Sequence, residues 1–291
     1  MRNGDNEDNW MNDYTFLVDF PDGTSEDEEF QDEVIEEELS PKPKHHLRKF
    51  IIFIIIFSML IIFVNIGLLF YHGRLWFNNP DKLDYPIRGV TLDSEYGKID
   101  WNVIDSQNLS FVYVSATKGT AFKDEQFEDN WKKSRNTDLL IGAYHKFNLT
   151  KDGEEQAEYF SDAMGKSIDG RLIPAVEVKI SGFYKIITPE KQKVVKNLKS
   201  FCDVIKKKYN VKPLIICNNK SYEKYLSDDF SKYPIWIDSF FSEPEENIEW
   251  SFWGYTPRMK FRGYENKDEY VTLSIFNNSM NIEEFKKKFV C

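Results

Sequence analysis

"RLIPAVEVKISGFYKIITPEKQKVVKNLKSFCDVIKKKYNVKPLIICN" (residues 171–218) reads as strand, helix, strand. Its opening, "LIPAVEVK" (172–179), is an apolar run that ends in a charged pair, Glu177 and Lys179. Residues two apart on a strand point to the same face, so these two side chains enter one pocket. The middle, "TPEKQKVVKNLKSFCDVIKKKY" (188–209), carries helix signals: Thr188 as N-cap, Pro189 in the first turn and a Lys run at the C-terminal end. "KPLIICN" (212–218) is again a short apolar strand. Strands joined through helices pair in parallel and are covered on both faces.

The same pattern extends both ways. Strand-like runs precede it at 87–92, 109–117 and 139–147, and follow it at 233–240, 250–256 and 270–276, making eight in all. Helix-like stretches fall at 124–136 and 152–165. Eight strands predict a closed, TIM-like (β/α) barrel, irregular because the connections after residue 240 are loop-like. Barrel chemistry sits at the C-terminal strand ends. Those ends offer Asp93 and Glu95, Thr117 and Lys118, Tyr144 and His145, the Glu177–Lys179 pair, Asp238, and Trp253 with Tyr255.

Upstream lies a different composition. Phe50 to Tyr71 is 22 residues without a charge, long enough to cross a bilayer core of about 30 Å. The basic cluster "KPKHHLRK" (42–49) precedes it, so the positive-inside rule puts the N-terminus in the cytoplasm and the barrel outside, on a single-pass inner-membrane protein. Residues 1–49 hold 15 Asp/Glu against five Lys/Arg, a composition that predicts a disordered tail, either a spacer or an acidic docking segment for a protein partner. The boundaries that follow are a tail at 1–49, a transmembrane helix at 50–71, a linker at 72–85 and a barrel at 86–291. Residues 50–291 carry 33 charges of each sign, which excludes a nucleic-acid binder. Cys202, Cys217 and Cys291 match no metal spacing, and an oxidising compartment would allow them one disulfide. His145 has no second ligand at metal spacing. No metal or cofactor is implied.

Five segments, in order, resemble the glycoside hydrolase family 25 lysozymes (muramidases). "RGVTLDSEYGKIDW" is similar to the family's "RGIDVSHHQGKIDW", and "FVYVSATKGTAFKDEQFEDNW" to "FVYIKATEGTSFVDPRFEENW". "GAYHKFNLTKDGEEQAEYF" resembles "GAYHFF" with a following helix; "LIPAVEVK" stands where the family has "LPPVLDVE". The stretch from "WSFWGYT" to "VTLSIFNN" resembles "WTFWQYS" through "VDLNVFNG". The resemblance implies an irregular eight-stranded α/β barrel and cleavage of peptidoglycan between N-acetylmuramic acid and N-acetylglucosamine. It also implies acids at four positions, which here hold Thr91, Glu177, Lys179 and Thr272. Lys179 replaces the residue expected to be the general acid, Lys118 replaces another Glu, and Gly254 replaces a Gln.

Glycoside hydrolysis uses one carboxylic acid as proton donor and a second group at the cation-like centre. A Lys, with a reference pKa of about 10.4, transfers its proton poorly at neutral pH, and its charge repels an oxocarbenium ion. The catalytic candidates that remain are Glu177 and, on the same strand face as Thr91, Asp93. Tyr144, Trp236, Trp253 and Tyr255 are candidate glycan-stacking rings, with a core role as the alternative. Three functions fit this pattern: a catalytically impaired binder of a glycan or partner, a weakly active muramidase using Glu177 with a substitute acid, and a structural envelope component.

Overall fold

The computed structural model describes residues 45–277 and 281–291. The acidic segment 1–41 lies outside them. The chain divides into two units, one ending at Ile55 and the other running from Ile56 to Cys291. Of the first, the described part is the beginning of α1 (His45–Tyr71), a helix with no buried residue. One of its few polar side chains, Asn65, donates its amide to Ile61 O at 2.8 Å and so satisfies itself within the helix.

The second unit continues with β1 (Arg88–Leu92), α2 (Trp101–Asp105), β2 (Phe111–Lys118), β3 (Phe122–Lys123) and α3 (Phe127–Lys133). Then come β4 (Leu140–Lys146), α4 (Gly153–Met164), β5 (Ala175–Val178), α5 (Lys191–Tyr209), β6 (Leu214–Asn218) and the single turn α6 (Asn219–Ser221). The chain ends with β7 (Ile235–Asp238), β8 (Phe252–Met259), β9 (Val271–Phe276) and α7 (Ile282–Phe289). β3 folds back on the end of β2, and the other eight strands close a barrel because β1 pairs with both β2 and β9.

Apart from β3, which is antiparallel to β2, pairing is parallel from β1 through β8, whereas β9 runs antiparallel to both its neighbours. The reason is the connection: no helix lies between Met259 and Val271, and a parallel return needs a crossover of a dozen or more residues. A second departure concerns α5. It starts at Lys191 with Glu190 in the cap position, and the Thr188 hydroxyl donates instead to Tyr184 O at 2.9 Å. Pro189 therefore precedes the helix instead of standing in its first turn. The helix ends at Asn210, in the left-handed region at φ 57°, with Lys206–Lys208 facing the dipole's negative end.

Two apolar layers hold the barrel. Inside it, Phe111, Tyr113, Trp236, Phe252 and Phe276 meet Phe285 and Phe289 of α7, which plug the N-terminal end of the strands. Gly89 and Gly142 make room for two of these rings, because a Cβ there would lie 2.3 Å from Phe111 and 2.2 Å from Tyr113. Outside it, Val112, Val114, Val176, Val178 and Ile215 pack under helix residues such as Phe160, Leu198 and Phe201.

Candidate functional site at the barrel mouth

The alternation of strand side chains decides what reaches the mouth. On β5, Ala175 faces the inner layer and Glu177 follows it one step toward the opening; Lys179 comes two residues later. On β7, Trp236 lies in the floor and Asp238 above it. Through Ile216 the register sets Glu177 beside Trp236, and Asp238, in register with Asn218, follows two residues nearer the opening.

Lys179 lies between them. Its Nζ is 2.7 Å from Glu177 Oε2 and 2.8 Å from Asp238 Oδ2. The three side chains are 26, 21 and 6 per cent exposed, so this is a largely sheltered triad. Burial works against the Lys179 charge, but Asp238 and Glu177 outweigh it and raise its pKa far above the ordinary lysine value. Burial alone would push the Glu177 carboxyl up; Lys179, with Lys146 and Lys118, holds it below its usual range. Asp238 moves the other way, because its deeper burial is only partly offset by Lys179. Its Oδ1 makes no hydrogen bond. Gly254, in register with Asp238, is required here: a Cβ would lie 2.2 Å from that oxygen.

A second ion pair lies beside the triad. Lys146 Nζ, at the end of β4, is 2.7 Å from Asp93 Oδ2, while Asp93 Oδ1 accepts from Glu95 N at 3.1 Å. Burial disfavours the Lys146 charge, and Asp93 and Glu177 more than compensate. Asp93 is thus engaged by an ammonium and a backbone amide. Thr91 and Thr272, both half-buried, contribute no charge to the mouth, and Lys118 is exposed.

The aromatic candidates need correction. Tyr144, Trp236, Trp253 and Tyr255 are all buried, and none presents an open face for stacking. Tyr144 and Trp236 belong to the inner layer. Trp253 and Tyr255 alternate with inward Phe252 and Gly254 and so face the outer layer. Trp253 Nε1 donates to Ser239 O at 2.8 Å, and Arg88 Nη1 donates to the Tyr255 hydroxyl at 2.9 Å. Rings in this stretch serve the core.

His145 is fully buried behind the mouth, with Nδ1 at 2.7 Å from Thr117 Oγ1 and Nε2 at 3.2 Å from Gln156 Oε1. Gln156 Oε1 also accepts from Asn148 N, which assigns the ring proton to Nε2 and leaves Nδ1 to accept from Thr117. Burial lowers its pKa to about 4, so it is neutral. Among the described residues no three His, Cys, Asp or Glu side chains cluster as metal ligands. All three cysteines are free; Cys202 and Cys217 are buried, with burial pushing both thiols up.

Lys146 is the residue that the sequence reading missed, and Asp238 the one that it placed at a strand end without giving it a role. Neither stands near Glu177 or Lys179 in sequence; barrel closure brings them there.

Comparison with known proteins agrees with this architecture. The profile of the glycosyl hydrolases family 25 matches residues 92–264. The structure of a family 25 glycosyl hydrolase from Bacillus anthracis superposes with a TM-score of 0.67 at 32% identity, covering 73% of this chain and 97% of that one. Lysozyme M1 of Streptomyces globisporus is 36% identical over 92 residues, 31% of each chain. The protein YegX of Escherichia coli O6:H1 is 27% identical over 203 residues, 67% of this chain and 71% of its own.

Proposed function

The chain belongs to glycosyl hydrolases family 25, and we propose that it is a membrane-anchored, lysozyme-like protein that binds a peptidoglycan-type glycan without cleaving it. The observation that carries this reading is the position of Lys179, whose ammonium sits 2.7 and 2.8 Å from two carboxylates where the family resemblance expects the proton donor. Held there with its proton, Lys179 neither protonates a leaving oxygen nor tolerates a cationic transition state beside it. The loss of a general acid alone costs about two to four orders of magnitude in rate. The mouth keeps hydrogen-bonding groups of both signs, which suits sugar hydroxyls.

α1 supplies the anchor, within a transmembrane segment at 50–71. The basic residues before it favour a cytoplasmic N-terminus, an acidic tail over 1–49 that is open to a protein partner, and an exported barrel at 86–291 joined by a linker at 72–85. The peptidoglycan chemistry of the family favours an inner-membrane address.

The test is reducing-sugar release from purified peptidoglycan by the detergent-solubilised full chain, run beside co-sedimentation. Binding without release supports the proposal; release abolished by Glu177→Gln overturns it. That second outcome has one observation in its favour. The contacts of 2.7 and 2.8 Å to Lys179 cap the separation of the two accepting oxygens at 5.5 Å, and the two carboxyls are pushed in opposite directions. That ceiling lies below the roughly 6.5–9.5 Å between the carboxyls of inverting hydrolases, which leaves the closer, retaining arrangement. Asp238, rather than Asp93, is then the substitute acid.

A further inference from the structure

Among the described residues from 86 onward, six large apolar side chains are exposed: Phe122, Phe183, Ile186, Ile187, Phe241 and Ile282. Five of them lie just beyond the C-terminal ends of β2, β5 and β7, around the mouth. Ile282 alone starts α7, at the plugged end. The other strand-connecting loops leave no such side chain in solvent.

The segment after α1 is fastened to this same end. Trp76 Nε1 donates to Phe240 O and Tyr255 O, both at 2.8 Å, and the Phe77 ring lies 5.4 Å from that of Phe241. Arg258, near the end of β8, donates Nε to Tyr71 O at 2.6 Å and lies over the Tyr71 ring at 4.6 Å. Gly73 allows the approach: its φ is +65°, and a Cβ would fall 1.8 Å from Arg258 O. Five residues from Tyr71 to Trp76 span at most about 18 Å even if fully extended. The rim of the mouth is thereby held within that reach of the end of α1.

We infer that the apolar rim of the mouth rests in the interfacial layer of the membrane that α1 crosses, so that its partner is a lipid surface. This rests on the anchor reading above. Tyr71 and Trp76 have the amphipathic aromatic character that collects at the headgroup level, and Phe241 packs at a tilt against Trp76 and Phe77. Phe122, Phe183 and Ile187 extend the apolar surface around the opening. Shallow immersion of such side chains binds in proportion to the apolar area they bury. The loop that carries Phe241 also carries exposed Glu243, Glu245 and Glu246, which anionic headgroups would repel. The contact is therefore apolar, and zwitterionic lipid suffices.

The test uses the full chain with Cys291→Ser, leaving two buried thiols, in nanodiscs of phosphatidylcholine brominated on its acyl chains. Single cysteines labelled with bimane are placed by Phe122→Cys, Ile187→Cys and Phe241→Cys. Lys166→Cys, on the loop entering β5 from the plugged end, is the control, and Ser58→Cys reports the anchor. Quenching at the three rim positions at least twofold above that at 166, with strong quenching at 58, is the expected result. Rim labels no more quenched than the control, with 58 quenched, overturn the inference and leave the anchor standing. An unquenched label at 58 overturns both.

Discussion

Lys179 and Asp238 meet at 2.8 Å in the upper layer of the barrel, and Asp238 is the more deeply buried partner. Asp238 has already lost its water, and Lys179 is the cation that compensates. Glu177 completes the arrangement from the other side at 2.7 Å. One ammonium thus compensates two acids, and the mouth is held together as a salt-bridged unit.

Removing that ammonium leaves two unneutralised carboxylates together. Lys179→Met is expected to cost about 3 kcal/mol at pH 7, the low end for a buried pair because Lys179 keeps some solvent contact. Stability should recover toward pH 5, as the two acids come to share one proton. Denaturant midpoints at the two pH values check this; equal losses at both would rule it out.

Gly254 and Asp238 should be energetically coupled. Gly254→Ala puts a methyl group where Asp238 Oδ1 now lies, 2.2 Å from it, and is expected to cost about 1–3 kcal/mol by displacing the carboxylate. In the background of Asp238→Ala most of that cost disappears. A double-mutant cycle giving a coupling below about 0.5 kcal/mol would show that the two sites are independent.

His145 makes stability depend on acid. Its folded pKa of about 4 lies below the unfolded value, so the unfolded chain binds more protons in between. The stabilisation is complete above about pH 6.5 and is lost as pH falls through 4, by about 3 kcal/mol in all. Comparing the pH dependence of unfolding with that of His145→Gln isolates this contribution; parallel curves would remove it.

The plug of the barrel is the fourth test. Phe285 is fully buried and touches Phe111, Phe252, Phe276 and Phe289. Phe285→Ala is expected to cost about 3–5 kcal/mol with an unchanged denaturant m-value. A loss under 1 kcal/mol would mean that α7 is peripheral.

What could be read from the sequence follows the range of the physics involved. Glu177 and Lys179 share a pocket by the two-residue period of a strand, a local rule that needs no partner. Lys146 and Asp238 join them only through the registers of four neighbouring strands, which no local pattern encodes. The rings misled for a related reason. Trp236 and Trp253 both sit near strand ends, yet one faces the inner layer and the other the outer, and only closure of the sheet assigns inside and outside. Thr188 and Pro189 show the limit of local signals at helix ends, since the cap falls two residues later, at Glu190.

The pairing of Arg88 with Ile275 has a further consequence, for biosynthesis. The first strand finds its second neighbour only when the last strand exists, and α7 fills the barrel only after that. During synthesis the domain can form β–α pieces in order, but its sheet keeps two open edges until β9 has been made. Completion is then a single long-range closure, slow on the scale of local folding. A ribosome stalled before Val271 would hold an unfinished sheet, sensitive to protease, and emergence of β9 and α7 would convert it to a resistant barrel.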